Sequence, residues 1–201
     1  MTTRRMTARI KSKTSIADGF LRVNRYEFET DMHAGGSQVV TREVMERGHA
    51  VAVLGYDPVR DEVVLVNEFR PGCLLAGDDA FTDNLAAGGI ADGESAIDAA
   101  VREMQEETGL EMTRPELIHP GAFVSSGGTS EKIALVVGRV DASQATGVHG
   151  NANEAEDIRV VVLSADDFIA RVRSGAINDM KTLVAGYWFA EHRSRLRAVA
   201  F

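Results

Sequence analysis

Cysteine is nearly absent: Cys73 stands alone in 201 residues, so no internal disulfide can close. A single thiol suggests neither a cysteine metal cluster nor an oxidising compartment, and a reducing cytoplasm is the expected setting. Long apolar runs are missing too. None approaches the roughly 20 residues that a membrane-spanning helix requires, so no membrane association is expected. The basic start, with Arg4, Arg5, Arg9, Lys11 and Lys13, leads into no apolar stretch and no small-residue cleavage pattern, which argues against a secretion signal. It reads as a frayed tail running into a first strand. Positive charge is in deficit as well: 22 Lys+Arg stand against 30 Asp+Glu, a net charge of -8, and no local basic patch offsets it. A polyanionic nucleic acid would meet a repulsive field, so none is expected as a partner. Internal repeats and low-complexity tracts are also lacking.

What remains is an ordinary globular composition, 44% hydrophobic and 26% charged, in a chain long enough to bury a real core. Its acids are unevenly spread, with clusters at 94–107 and 154–157. Clustered carboxylates repel one another unless cations neutralise them, and a divalent metal is the simplest neutraliser.

Alternating apolar and polar residues predict strands over Phe20–Phe28, Val39–Met45 and Ala50–Tyr56, and the apolar run in Glu62–Phe69 predicts a fourth. Gly35-Gly36 marks a hairpin turn between the first two, and Asp57-Pro58 with Arg60-Asp61 marks another. The segment Arg70–Asp83, with Pro71, Gly72 and Gly77, reads as an irregular loop. Ile97, Ala100, Val101, Met104 and Thr108 fall on one stripe at helical spacing, and Gly109 stands where a C-cap glycine would. Further strands are predicted at Leu117–Val124, Ile133–Val140 and Ile158–Leu163. Helices are predicted at Ala165–Arg173 and Asp179–Arg195, with Tyr187 and Trp188 packing the last. The Gly/Ala/Asn/Ser-rich stretch Asp141–Asp157 has no apolar period and predicts a long surface loop, a type that is commonly functional.

The most informative stretch begins at Gly88-Gly89-Ile90-Ala91-Asp92-Gly93-Glu94. Seven residues later it continues as Arg102-Glu103-Met104-Gln105-Glu106-Glu107-Thr108-Gly109-Leu110. At about 100° per residue, Glu103, Glu106 and Glu107 share a band beside the apolar stripe, so one helix face is buried and the next offers three carboxylates. Such a band suits hard cations, which prefer oxygen ligands and bridge carboxylates to phosphates.

The stretch resembles the Nudix box, Gly-x5-Glu-x7-Arg-Glu-apolar-x-Glu-Glu-x-Gly-apolar, at Gly88, Glu94, Arg102, Glu103, Met104, Glu106, Glu107, Gly109 and Leu110. The likeness extends to Arg42–Ala50, Asp57–Val66, Gly127–Glu131 and Val148–Ile158, and points to the ADP-ribose pyrophosphatase branch. It implies an α+β fold: a Nudix α/β/α sandwich with a mixed sheet and a β-rich N-terminal arm. The arm would span residues 1–47 and build a homodimer by exchange, and the catalytic domain would span 48–201. The activity implied is Mg²⁺-dependent hydrolysis of a nucleoside diphosphate sugar, ADP-ribose giving AMP and ribose 5-phosphate, with Mn²⁺ as the alternative metal. Metal ligands would be Glu103, Glu107, Glu156 and the backbone carbonyl of Ala87. Glu154 would be the base that activates water, although Glu156 could exchange roles with it. Arg102 would orient the helix carboxylates, and Glu106 belongs with this catalytic set. Arg42 and Arg70 would contact substrate phosphates or adenine, and Glu131 would reach the substrate of a partner subunit. His49 and His149 lie near enough in sequence to approach the site, although isolated histidines are more often structural.

Two positions depart from that branch. Ser126, followed by Gly127-Gly128, stands where a proline is usual, and Asn84 stands where a glutamate commonly precedes the box. Neither touches the metal carboxylates. They leave room for another substrate, such as GDP-mannose. A catalytically silent module that senses ADP-ribose is a further reading, against which the intact carboxylates argue.

Overall fold

The computed structural model describes residues 5–151 and 155–198; Glu154, the expected base, lies outside them. The chain divides into two compact units, one running to Gly48 and including Phe123–Lys132, the other comprising His49–Ala122 and the chain from Ile133 onward.

The smaller unit is an antiparallel sheet of β1 (Ala8–Asp18), β2 (Arg22–Asp31) and β3 (Ser37–Glu46), with β2 in the middle. The basic start is therefore a strand from Ala8 onward rather than a frayed tail. Its cations find cross-strand carboxylates: Arg9 Nε lies 2.9 Å from Glu29, and Lys13 Nζ lies 2.9 Å from Glu46. The predicted hairpin turn is present, with Gly35 and Gly36 at φ 96° and 78°, values that side chains disfavour. Within the same unit Phe123–Lys132 returns to β3, Met45 N–H donating to Gly128 O and Ser130 N–H to Met45 O.

The larger unit is built on a mixed sheet. Its strands are β4 (Ala50–Asp57), β5 (Glu62–Phe69), β6 (Phe81–Asn84), β7 (Ala86–Gly89), β8 (Thr113–Phe123), β9 (Lys132–Arg139), β10 (Val148–His149) and β11 (Ile158–Ser164). Along the main path the order is β10-β11-β5-β4-β9-β8, with β4 and β9 parallel. Side chains alternate between two cores. Val51, Val53, Val64 and Val66 join Ala100 and Met104 of α2 (Ala96–Thr108) on one face. Ala52, Leu54, Val63 and Leu65 join Phe168 of α3 (Ala165–Ser174) and Phe189 of α4 (Met180–Ala198) on the other. Burial on both faces explains why β4 and β5 read as apolar runs, each large side chain contributing about 1.5–3 kcal/mol. The fold is thus α+β, a mixed sheet between helical layers.

One irregularity positions the site. β4 and β5 pair only from Gly55↔Val64 to Asp57↔Glu62; beyond that they part, and each takes a new neighbour. β7 pairs with β4 (Ala50↔Gly89 to Val53↔Ala86), and β6 pairs with β5 (Val66↔Asn84 to Phe69↔Phe81). The predicted loop Arg70–Asp83 therefore contains structure, since it holds α1 (Pro71–Ala76) and most of β6. Trp188 is half-buried and stacks on His192 at 4.3 Å between ring centres, whereas Tyr187 is exposed and does not pack the helix as expected. Among the described residues no helix is long and apolar enough to cross a membrane.

Candidate active site

Helix α2 begins where Ser95 Oγ accepts the Asp98 N–H at 3.1 Å and ends at Gly109, φ 71°, whose N–H reaches Gln105 O at 2.9 Å. Both caps are local, so the helix starts and stops where its sequence directs. Its apolar stripe lies on β4 and β5, and this sets the depth of the adjacent carboxylates. Glu103 and Glu107 are buried, at 7% and 2% exposure, while Glu106 is exposed. The three do not form one solvent-facing band, because Glu103 and Glu107 point into the gap where β7 crosses beneath the helix.

Gly88 makes this approach possible, since a Cβ there would lie 2.0 Å from Glu103 Oε1. Its neighbour Ala87 donates its N–H to Glu107 Oε2 at 3.0 Å. Burial, and next the charge of Glu68, push the Glu107 carboxyl up to about 8. Glu103 is likewise raised by burial, opposed by Arg102.

Arg102 organises the neighbourhood. Its Nε and Nη2 form a fork onto Glu94 at 2.9 and 3.0 Å; Nη1 donates to Glu103 at 2.6 Å, and Nη2 also reaches Gly89 O at 2.9 Å. The guanidinium, helped by the Ala91 N–H, holds the Glu94 carboxyl down at about 2. Glu106 lies 3.4 Å from Arg102 and accepts the Gly150 N–H at its backbone oxygen, which ties the late loop to α2. Within that loop Glu156 Oε2 accepts the Asn151 N–H at 2.8 Å, and its charge is felt by Glu68, Glu103 and Glu107.

Glu68 on β5 was not among the expected site residues. It is 8% exposed, raised by burial, and paired with Arg70 without an aligned hydrogen bond at Oε1. An acid directly after the apolar run Val63–Val66 was the signal in the sequence. Glu94 and Gly88, matched in the box but given no role, are the other two residues the site depends on. Among the described residues no three His, Cys, Asp or Glu side chains form a ready-made metal cage. The donor set of carboxylate oxygens, with the adjacent Ala87 backbone, nonetheless suits a hard divalent ion.

The other expected residues are dispersed. Arg70 sits beside Glu68, but Arg42 and Glu131 belong to the smaller unit. There Arg42 Nη1 donates to Thr41 O at 2.8 Å, and Glu131 pairs with Arg47 at 3.5 Å. The His149 ring packs against Gly109, with Nε2 2.7 Å from Thr146 O, so it is a strut at the root of the late loop. The His49 backbone oxygen accepts the Ile90 N–H. A cavity of about 170 Å³ beside Tyr56, Arg139 and Arg195 contains none of these carboxylates.

The family described as NUDIX domain matches residues 46–183. An ADP-ribose pyrophosphatase of Escherichia coli (strain K12) is 39% identical over 191 residues, 94% of this chain and 90% of that protein. One from Haemophilus influenzae is 34% identical over 94% of this chain and 88% of its own length. A GDP-mannose pyrophosphatase of Pectobacterium atrosepticum is 28% identical over 90% of this chain and 96% of its own. A solved structure of an ADP compounds hydrolase shares the fold, with TM-score 0.71 and 19% identity over 94% of this chain and 96% of that one.

Proposed function

This chain belongs to the NUDIX family, and on that premise we propose that it hydrolyses the pyrophosphate of ADP-ribose, water and substrate giving AMP and ribose 5-phosphate. The observation that carries the reading is the pair of buried carboxylates, Glu103 and Glu107, set against the Ala87-Gly88 backbone. Mg²⁺, or Mn²⁺ in its place, would be held by Glu103, Glu107, Glu156 and the Ala87 carbonyl, and would stabilise negative charge on the phosphates.

The chain's own residues divide the remaining work. Arg102 fixes the Glu103 head group and ties it through Glu94 to the turn before the helix. Glu154 takes the proton of the attacking water, supported by its place in a Gly/Asn-rich loop whose near end is anchored at Gly150 and whose far end leads into β11. Arg70, half-exposed beside a buried carboxylate, offers its guanidinium to a phosphate oxygen. Arg42 and Glu131 complete substrate recognition from residues 1–47 and their neighbours, in a homodimer that works in the cytoplasm. The rival reading is hydrolysis of GDP-mannose, supported by the GDP-mannose pyrophosphatases among the relatives and by this chain's own Asn84 and Ser126.

The test is product analysis. With Mg²⁺, phosphorus NMR should show ADP-ribose converted to AMP and ribose 5-phosphate, and a chelator should stop it. Tight binding of ADP-ribose with Mg²⁺ but no product after long incubation would overturn hydrolysis and indicate a sensing module.

A further inference from the structure

We propose that Thr182, oriented by Asp179, is a positioning residue for the cation site, anchoring the open edge of β7 to which the Glu107 carboxylate is bound. This role rests on the metal-dependent reading above and extends it to α4, which the Gly88–Leu110 motif does not reach.

Leu85 is the residue at which the chain crosses from one strand pair to the other. Asn84 closes the pairing of β6 with β5, and Ala86 begins the pairing of β7 with β4, so Leu85 stands on neither ladder. It is 0% exposed, in the core shared with Phe168 of α3 and Phe189 of α4. A buried N–H without an acceptor is costly, and here the acceptor is a side chain. Leu85 N–H donates to Thr182 Oγ1 at 3.0 Å, across 97 residues of chain.

Backbone groups alternate between the two edges of a strand, so Leu85, Ala87 and Gly89 turn theirs to the same edge. Ile90, of the opposite parity, donates to His49 O just before β4, which places the Leu85 edge on the side away from β4. Side chains meet that edge at each of the three residues. Leu85 N–H goes to Thr182, Ala87 N–H to Glu107 Oε2 at 3.0 Å, and Gly89 O accepts from Arg102 Nη2 at 2.9 Å. The Ala87 carbonyl, the backbone ligand of the proposed ion, opens to the same edge. Thr182 reaches it from α4 and Glu107 and Arg102 from α2, helices that pack on opposite faces of the sheet. Leu85 and Ala87 are two residues apart, so a shift or roll of the strand that lengthens one of these bonds also moves the other.

The hydroxyl is itself held in place. Its single proton goes to Asp179 Oδ2 at 2.6 Å, which leaves a lone pair for Leu85. Asp179 Oδ2 also takes the Thr182 N–H at 3.0 Å, and Oδ1 holds Lys181 Nζ at 2.8 Å. Against the opposing effect of burial, Lys181 and Thr182 keep the Asp179 carboxyl below its ordinary value, so it remains an acceptor near neutral pH. Thr182 is 0% exposed. A valine there would fill the same space and leave the Leu85 N–H unmet, so the hydroxyl is what the position requires.

Equilibrium titration of the full-length chain with Mn²⁺, following free Mn²⁺ by electron paramagnetic resonance without substrate, tests the anchor. Thr182→Val removes the hydroxyl and should bind Mn²⁺ at least about tenfold more weakly than wild type, while Thr182→Ser should stay within about twofold. Asp61→Asn, which loses hydrogen bonds to Arg193 and Tyr56, controls for lost stability and should bind Mn²⁺ like wild type. If Thr182→Val melts lower, as Asp61→Asn does, yet binds Mn²⁺ like wild type, Thr182 only satisfies a buried amide and the proposal is overturned. Thr182→Ser binding as weakly as Thr182→Val overturns it too. Should Thr182→Val not fold, Asp179→Ala in a Lys181→Gln background removes the acceptor of the hydroxyl proton without leaving Lys181 unpaired. It should bind Mn²⁺ at least about fivefold more weakly than Lys181→Gln alone, and equal affinity refutes the anchor. If Glu107→Gln loses affinity and Thr182→Val does not, the metal-dependent reading stands without the anchor; wild-type protein that binds no Mn²⁺ overturns both.

Discussion

Gly88→Ala adds one methyl group at the point where β7 meets helix α2. Gly88 does not have a positive φ, so alanine is conformationally permitted and the whole effect comes from the side chain. The new Cβ would lie 2.0 Å from Glu103 Oε1, 2.2 Å from Cδ and 2.5 Å from Oε2. Since ordinary contact begins at 3.4 Å, the carboxylate must retreat by more than about 1 Å. Retreat strains or breaks the 2.6 Å bond from Arg102, while Arg102 keeps its fork on Glu94. A flexible head group softens the clash, so we expect a stability loss of about 1–3 kcal/mol, toward the lower end. Metal affinity should suffer more, by at least about 10–100-fold, because a displaced carboxylate no longer meets its ion. Urea unfolding and Mg²⁺ titration of turnover measure the two effects. In a Glu103→Ala background the clash is gone, and Gly88→Ala should change stability by less than about 0.5 kcal/mol. A Gly88→Ala protein with wild-type stability and Mg²⁺ dependence, or a penalty that persists without Glu103, would show that Gly88 does not make room for the Glu103 carboxylate.

Glu154→Gln should lower turnover by roughly 10²- to 10⁴-fold at saturating Mg²⁺ while sparing folding, whereas Glu156→Gln should be partly rescued by excess Mg²⁺. If Glu154→Gln stays active and Glu156→Gln is dead at saturating metal, the base is Glu156. Asp61 accepts from Arg193, Arg197 and Tyr56, and Asp61→Asn should cost about 1.5–3 kcal/mol near neutral pH in urea melts. Because Arg193 depresses the folded Asp61 pKa, that difference should be full above about pH 4 and shrink as pH falls through the folded value; a difference that persists in acid would contradict the assignment. Glu107 behaves oppositely: with its folded value raised to about 8, the metal-free chain should lose stability as pH climbs from about 4.5 to about 8, since the unfolded chain releases the proton first. Glu107→Gln should flatten that slope in chelator-containing unfolding experiments, and an unchanged slope would place the titration elsewhere.

The parts legible in sequence were those fixed locally. Ser95, Gly109 and a regular apolar stripe define α2 without help from the rest of the chain, and the same stripe implies which face carries the acids. Depth was not legible, because helical periodicity gives the direction of Glu103 and Glu107 but not how closely a strand approaches. That depends on Gly88 and on the parting of β4 from β5. The strand β1 was hidden for a similar reason: Arg9 and Lys13 resemble a basic tail until Glu29 and Glu46, far along the chain, are seen opposite them. Between Arg70 and Asp83 the elements are too short to show a period, six residues in α1 and four in β6, and only the open edge of β5 makes a strand there. Glu68 was visible as an acid in an apolar strand, but its burial beside Arg70 emerges only in the folded chain.

In the proposed function, the carboxylates of α2 serve a metal-dependent hydrolysis directed at ADP-ribose. Steady-state kinetics on ADP-ribose, GDP-mannose and other nucleoside diphosphate sugars, each with Mg²⁺ and with chelator, test it most directly. We predict the highest kcat/KM for ADP-ribose, lost in chelator and restored by Mg²⁺. A higher kcat/KM for GDP-mannose would contradict the substrate assignment, and full activity without divalent metal would contradict the account of the site itself.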